Sequence, residues 1–99
     1  MIIITGTVRI PAGSIEKVKP AMEEMIAASR AERGCLAYSY ALDVLDDGLV
    51  HVHEAWTDQV ALDAHFETSH LKAWRAKWAL LGISDRQLVA FEVDAPMAI

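Results

Sequence analysis

The sequence has one cysteine, three prolines and five glycines in 99 residues. A single thiol excludes an internal disulfide framework and a zinc knuckle built on several cysteines. Cys35 follows Gly34 at the C-terminal end of a helical stretch. That is the wrong helix end for lowering a thiol pKa, so Cys35 reads as structural. Basic residues are also in deficit, 9 Lys and Arg against 14 Asp and Glu, for a net charge of −5. This argues against a nucleic-acid partner, which selects a basic excess. No apolar run approaches the roughly 18 residues of a membrane span. Met1-Ile2-Ile3-Ile4 is apolar, but it lacks a basic flank and is too short for a signal peptide. The expectation is a soluble cytoplasmic protein that binds neither nucleic acid nor membrane. Motifs are missing too. There is no Gly-rich phosphate loop, no G-x-S-x-G, no zinc motif and nothing that marks a flavin or nicotinamide. No cofactor and no metal are expected.

What the sequence has is apolar content. Hydrophobic residues make up 54 % and charged residues 23 %, the balance of a packed domain and not of a disordered tail. The length suits one domain over 1–99, with a core over 2–93 and a tail over 94–99.

Short segments of period 2 and period 3.6 alternate along the chain. Residues 2–10 are rich in β-branched side chains and read as a strand, with Ile2, Ile4, Val8 and Ile10 on one face. Gly6 interrupts that face, which signals a bulge or a close approach. Ser14 is the expected cap of a helix running to about Arg33, with Val18, Met22, Met25, Ile26 and Ser29 as its inner stripe. Pro20 falls inside this helix and removes one hydrogen bond. Leu36–Leu45 and Leu49–Trp56 read as a hairpin around Asp46-Asp47-Gly48. Asp58 caps a second helix, Thr68-Ser69 breaks it, and Gly82 ends it. Arg86–Val93 is the last strand.

The order β-α-β-β-α-β is that of a ferredoxin-like α+β sandwich: a four-stranded antiparallel sheet with helices on one face. Several strands carry apolar or small residues on both faces. A large exposed apolar patch marks an interface, so the open face is expected to pair with a second copy in a homodimer. The ligand pocket is then expected between each sheet and its own helices.

Within that frame a few side chains could carry chemistry. His51 and His53 lie two apart on a strand and project to one side. They are either polar interface residues or two ligands of a metal site that lacks a third. His65 shares the inner helix face with Leu62 and Phe66, where a polar ring needs a partner. It is either a satisfied core histidine or a pocket acid/base suited to taking a phenolic proton. His70 lies close by. Glu54 is in line with Val50, Val52 and Trp56 and points into the core; it is either paired to a backbone amide or Arg30, or a base. Trp56, Trp74, Trp78, Tyr38, Tyr40 and Phe66 could wall a flat apolar ligand or could be ordinary core.

Two blocks resemble a known family. Ser29-Arg30-Ala31-Glu32-Arg33-Gly34-Cys35-Leu36-Ala37-Tyr38 is similar to the S-R-x-E-P-G-C-x-x-Y block of the antibiotic biosynthesis monooxygenases. His53-Glu54-Ala55-Trp56-Thr57-Asp58, followed by Leu62, His65 and His70, resembles their E-x-W-x-D…L-x-x-H-x-x-x-x-H block. Arg33 departs from the family proline. The resemblance implies a dimeric α/β barrel of ferredoxin-like protomers. It also implies cofactor-independent oxygenation by O2 of a small quinol- or anthrone-like aromatic substrate. In that scheme His65 is the acid/base, His70 or Glu54 assists, and Trp56, Trp74, Tyr38, Phe66 and Trp78 shape the pocket. Heme-degrading relatives use an Asn, a Trp and a His where this chain aligns Gly6, His65 and Arg75, which counts against that activity. A non-catalytic binding or stress-response protein, an isomerase of a small sugar-derived phosphate and a metal enzyme built on His51 and His53 stay open as alternatives.

Overall fold

The β-branched run at the start of the chain becomes an inner strand of the sheet. In the computed structural model, which describes all of residues 1–99, β1 (Ile2–Arg9) lies between β3 (Leu49–Trp56) and β4 (Ser84–Glu92). β2 (Cys35–Leu42) pairs with β3 at the other edge, giving the order β2-β3-β1-β4 with every neighbour antiparallel. The helices are α1 (Ile15–Arg30), α2 (Gln59–Phe66), α3 (Ser69–Ala76) and α4 (Trp78–Leu81). This is the expected ferredoxin-like arrangement, and no helix is long and apolar enough to cross a membrane.

Register explains where the core sits. Ile2 pairs with Trp56 and Val8 with Val50, so one face of β1 and β3 forms a continuous apolar floor. The α1 stripe of Val18, Met22 and Met25 buries against it, joined by Leu71 and Trp74 of α3. Burying one such side chain stabilises the fold by about 1.5–3 kcal/mol. Gly6 keeps this floor flat. Its φ is +153°, and a Cβ there would stand 1.9 Å from the Gln87 carbonyl oxygen of β4. The close approach expected from the sequence is thus made by β4.

Several local details differ from the sequence expectation. α1 ends at Arg30 and not at Arg33, because Ala31 already caps it and Glu32 N–H donates to the Ser29 carbonyl in a tighter turn. Ser14 holds the cap position, yet its hydroxyl is buried without a partner and makes no capping bond. β2 ends at Leu42, because the Asp43 carboxylate accepts the Leu45 and Asp46 amides and turns the chain there. Val44 and Leu45 are consequently exposed. β4 starts at Ser84, two residues early, around a bulge: Thr7 pairs with Gln87 but Arg9 with Ser84. Asp85 sits in this bulge with φ +51°.

The expected cap and the expected break of the second helix are both present, and the break itself caps the next piece. Asp58 accepts the Ala61 amide at 2.9 Å, and the Thr68 hydroxyl accepts that of Leu71 at 3.4 Å. A further break at Lys77 divides the segment into three short helices instead of two. Gly82 follows with φ +74°.

Candidate functional site

Between the sheet and α2–α4 lies a cavity of about 250 Å³. Its volume is just under the usual range of about 300–1,000 Å³ for small-molecule sites. Ile4, Leu88 and Ala90 form part of its floor, and Leu62, Leu71 and Trp74 part of its helical wall. Tyr38, Phe66 and Trp78 also line it, as does the carboxylate residue Glu54. The structure brings Tyr38, Phe66, Trp74, Trp78, His65 and Glu54 together around one space. Phe66 stands at the rim, more exposed than the inward position expected of it.

Two expected members are elsewhere. Trp56 is fully buried and does not line the cavity; its indole lies behind His65, with ring centroids 4.6 Å apart. It terminates β3 under the helices, so it is a backing plate for the imidazole and not a wall for ligand. His70 does not reach the cavity either, because α3 carries it to the α1 side, beside Met25 and Trp74.

The centre of the site is a carboxylate that the motif contained but that was not singled out for chemistry. Glu32 Oε2 lies 2.6 Å from His65 Nδ1 and 2.8 Å from His70 Nε2. Gly34 makes this meeting possible. At φ +86° it turns the chain after α1 so tightly against α2 that a Cβ would stand 2.6 Å from the Ala61 Cβ and 2.8 Å from Thr57 Oγ1. The turn is pinned by Thr57 N–H, which donates to the Gly34 carbonyl at 2.9 Å. Glu32 is thereby brought up to the C-terminal turn of α2, where His65 sits.

One carboxylate oxygen facing two ring nitrogens sets the tautomers: each neutral imidazole donates its N–H to Glu32. His65 Nε2 is left without a hydrogen bond, on a ring that borders the cavity. Only 1 % of His65 is exposed. Burial pushes its pKa below the ordinary 6.5, and this outweighs the opposing pull of Glu32. The resting ring is a neutral imidazole with a free lone pair.

Glu54 is 4 % exposed and accepts the Trp56 indole N–H at 3.0 Å. Its partner is therefore an indole and not Arg30, whose Nε donates to the Tyr38 carbonyl at 2.8 Å. Burial raises the Glu54 pKa, with the Trp56 bond acting against it. Burial also pushes the Tyr38 phenol well up and raises the Tyr40 phenol, so both stay protonated. Cys35 is half-buried with its thiol pKa raised, again by burial, which fits a structural role.

The His51–His53 pair is on the opposite face. His51 Nε2 meets Asp43 Oδ1 at 2.8 Å, and no third ligand joins the two histidines. The group with metal-binding potential is Glu32, His65 and His70, whose ligand atoms all lie within 4.8 Å of one another. Two histidines and one carboxylate suit a divalent transition metal chemically. As arranged, the carboxylate already satisfies both imidazole N–H groups.

Comparison with known proteins agrees with this architecture. The chain resembles a presumed antibiotic biosynthesis monooxygenase of Deinococcus radiodurans (TM-score 0.90, 23 % identity, 100 % of this chain and 98 % of that one). It resembles a conserved Bacteroides thetaiotaomicron protein of unknown function, described as a possible oxidoreductase (TM-score 0.81, 27 % identity, 93 % and 96 % covered). An uncharacterized Synechocystis protein is 30 % identical over 69 residues, 70 % of this chain. The chain spans about half the length of that curated relative, 47 %. The sequence model of the antibiotic biosynthesis monooxygenases matches residues 1–77, which contain Glu32, His65 and His70, and the chain belongs to that family.

Proposed function

We propose that this protein is a cofactor-independent monooxygenase of a small quinol- or anthrone-like aromatic compound. The observation that carries the reading is the Glu32–His65 contact at Nδ1, which leaves Nε2 free on a buried ring beside the cavity. An oriented, neutral imidazole of this kind is a general base. It takes the phenolic or enolic proton of the bound ring. The resulting anion is electron-rich enough to reduce O2 by one electron, and the two radicals combine at a ring carbon as a peroxide. Loss of water from that peroxide leaves a carbonyl. One oxygen atom enters the product, the other leaves as water, and all the electrons come from the substrate. The chain's share is proton removal, exclusion of water and stabilisation of the anion.

The same reading has the protein working as a homodimer through its open sheet face. Val89 and Phe91 are each more than half exposed there, beside Thr5 and Ile3 of β1, with His53 one strand further across. A second copy covering this face removes the apolar patch from water without blocking the cavity on the helical side.

O2 uptake by metal-analysed protein, with a panel of reduced quinones and anthrones, tests the activity. Uptake that survives EDTA and falls in His65→Ala is the expected result. Ligand binding without O2 uptake identifies a non-catalytic binding protein. Loss of uptake on chelation, restored by one divalent metal, transfers the chemistry to a centre at Glu32, His65 and His70. An isomerase of a sugar-derived phosphate is the second reading, favoured by Arg75 and Arg86 on the cavity lining.

A further inference from the structure

Two tryptophans and two arginines stand together on the cavity lining. The indole N–H groups of Trp74 and Trp78 are both buried and both without an acceptor. Trp74 is only 2 % exposed, so water does not readily replace the missing partner. The two rings meet edge to face with centroids 6.0 Å apart.

Arg75 and Arg86 line the same cavity, and neither makes an ion pair or a hydrogen bond. In a chain with 14 acidic and 9 basic residues, two unpaired arginines on one lining run against the overall charge. They come from different elements. Arg75 follows Trp74 on α3, and Arg86 follows the Asp85 bulge on β4. A bulge at that point changes which way the next side chains point. The only carboxylate on the lining, Glu54, is occupied by the Trp56 indole. The rest of the lining is chiefly apolar and aromatic.

We propose that the ligand is an aromatic acid, whose ring fills the apolar part of the cavity beside Trp74 and Trp78 and whose anionic group is received by Arg75 and Arg86. Guanidinium groups bind planar anions through charge-assisted, often bidentate, hydrogen bonds. The proposal rests on the cavity described above as a ligand site and narrows the substrate class of the oxygenase reading to quinols that carry an acidic substituent. The anion anchors the ring. The chemistry stays with the phenolic proton, at the His65 side of the same space.

Calorimetric titration with naphthalene-2-carboxylate and its neutral isostere, naphthalene-2-carboxamide, tests this without any turnover. The acid is expected to bind at least about tenfold more tightly than the amide. Added salt weakens the acid and leaves the amide unchanged. In the double variant Arg75→Gln/Arg86→Gln the preference falls to near unity while amide affinity stays within about twofold, which also shows that the variant is folded. His65→Ala keeps the preference, so failure of the oxygenase reading and failure of this one are separable. Equal affinity of the two compounds for the native protein overturns the proposal, as does a preference that survives in the double variant. Tighter binding of glycerol 3-phosphate than of the naphthoate also overturns it, in favour of a ring-free phosphate ligand.

Discussion

His51 and His53 stand on one side of the sheet, and His65 and His70 on the other side, under the helices. Both pairs come from short segments, and both include a ring paired to a carboxylate at 2.6–2.8 Å. Their surroundings differ. His51 and Asp43 meet at the solvent-exposed surface, where such a pair contributes little. His65 meets Glu32 between Trp56, Tyr38 and the cavity, where burial holds the ring neutral and the carboxylate decides which nitrogen is free. The same two side-chain types give a surface contact in one place and a buried, oriented ring in the other. Solvent exclusion makes the difference, and spacing along the chain does not reveal it.

The strongest way to break this comparison is to remove the buried ring. His65→Ala is expected to lower turnover by on the order of 10²–10⁴, read as O2 uptake with a reduced quinone. Glu32→Gln comes next, with a loss of up to about 10⁴ if tautomer control is complete and less if Trp56 packing alone holds the ring. The pH profile sharpens the point. Because the His65 pKa is lowered, kcat/KM rises with pH and levels off with a midpoint below the ordinary 6.5. Glu32 pulls that pKa upward, so Glu32→Gln should move the acid limb to still lower pH. A limb unmoved by the substitution removes His65 as the titrating group. The same sign governs stability: a lowered histidine pKa contributes stability that is complete above about pH 6.5 and declines as pH falls through the folded value.

On the other face, Phe91→Glu places a charge in the apolar patch. Sedimentation velocity should show the native dimer becoming monomer, and a native chain that is already monomeric would end the dimer proposal. Glu54→Leu removes the acceptor of the Trp56 indole and should cost about 1–3 kcal/mol in urea denaturation, whereas Glu54→Gln keeps an acceptor and should cost less. The smallest effect is expected for the double substitution His51→Ala/His53→Ala: stability within about 0.5 kcal/mol and unchanged turnover. A large loss there would erase the distinction between the two faces.

Much of the fold was readable because local signals and the global pattern agree. The alternation in β1 and β3 and the α1 stripe of Val18, Met22 and Met25 all bury the expected faces. Asp58, Thr68 and Gly6 likewise do what their positions suggest. The site was only half readable. His65 and Glu54 stood out as polar groups among apolar ones. Glu32 did not, because it lies in a turn without periodicity, 33 residues from His65 and 38 from His70. The expected extension of α1 to Arg33 would have kept it on a helix. Only the early end at Arg30 and the tight turn at Gly34 bring it over. Arg86 was hidden in the same way. The last strand was expected to begin there, and the one-residue bulge before it cannot be seen in a pattern of alternation.

The three-part division of the segment from Gln59 to Leu81 has a consequence for access. A long helix opens as a unit, but pieces of eight, eight and four residues joined at Glu67-Thr68 and Lys77 can fray one at a time. The floor of the cavity belongs to a laddered sheet that does not yield without general unfolding. Opening of the cavity by fraying is therefore expected in the helical roof, and amide hydrogen exchange should be fastest in the roof and slowest in β1 and β3. The molecule behaves as a fixed plate under a hinged cover, whose hinges are the same capping residues that interrupt the helix.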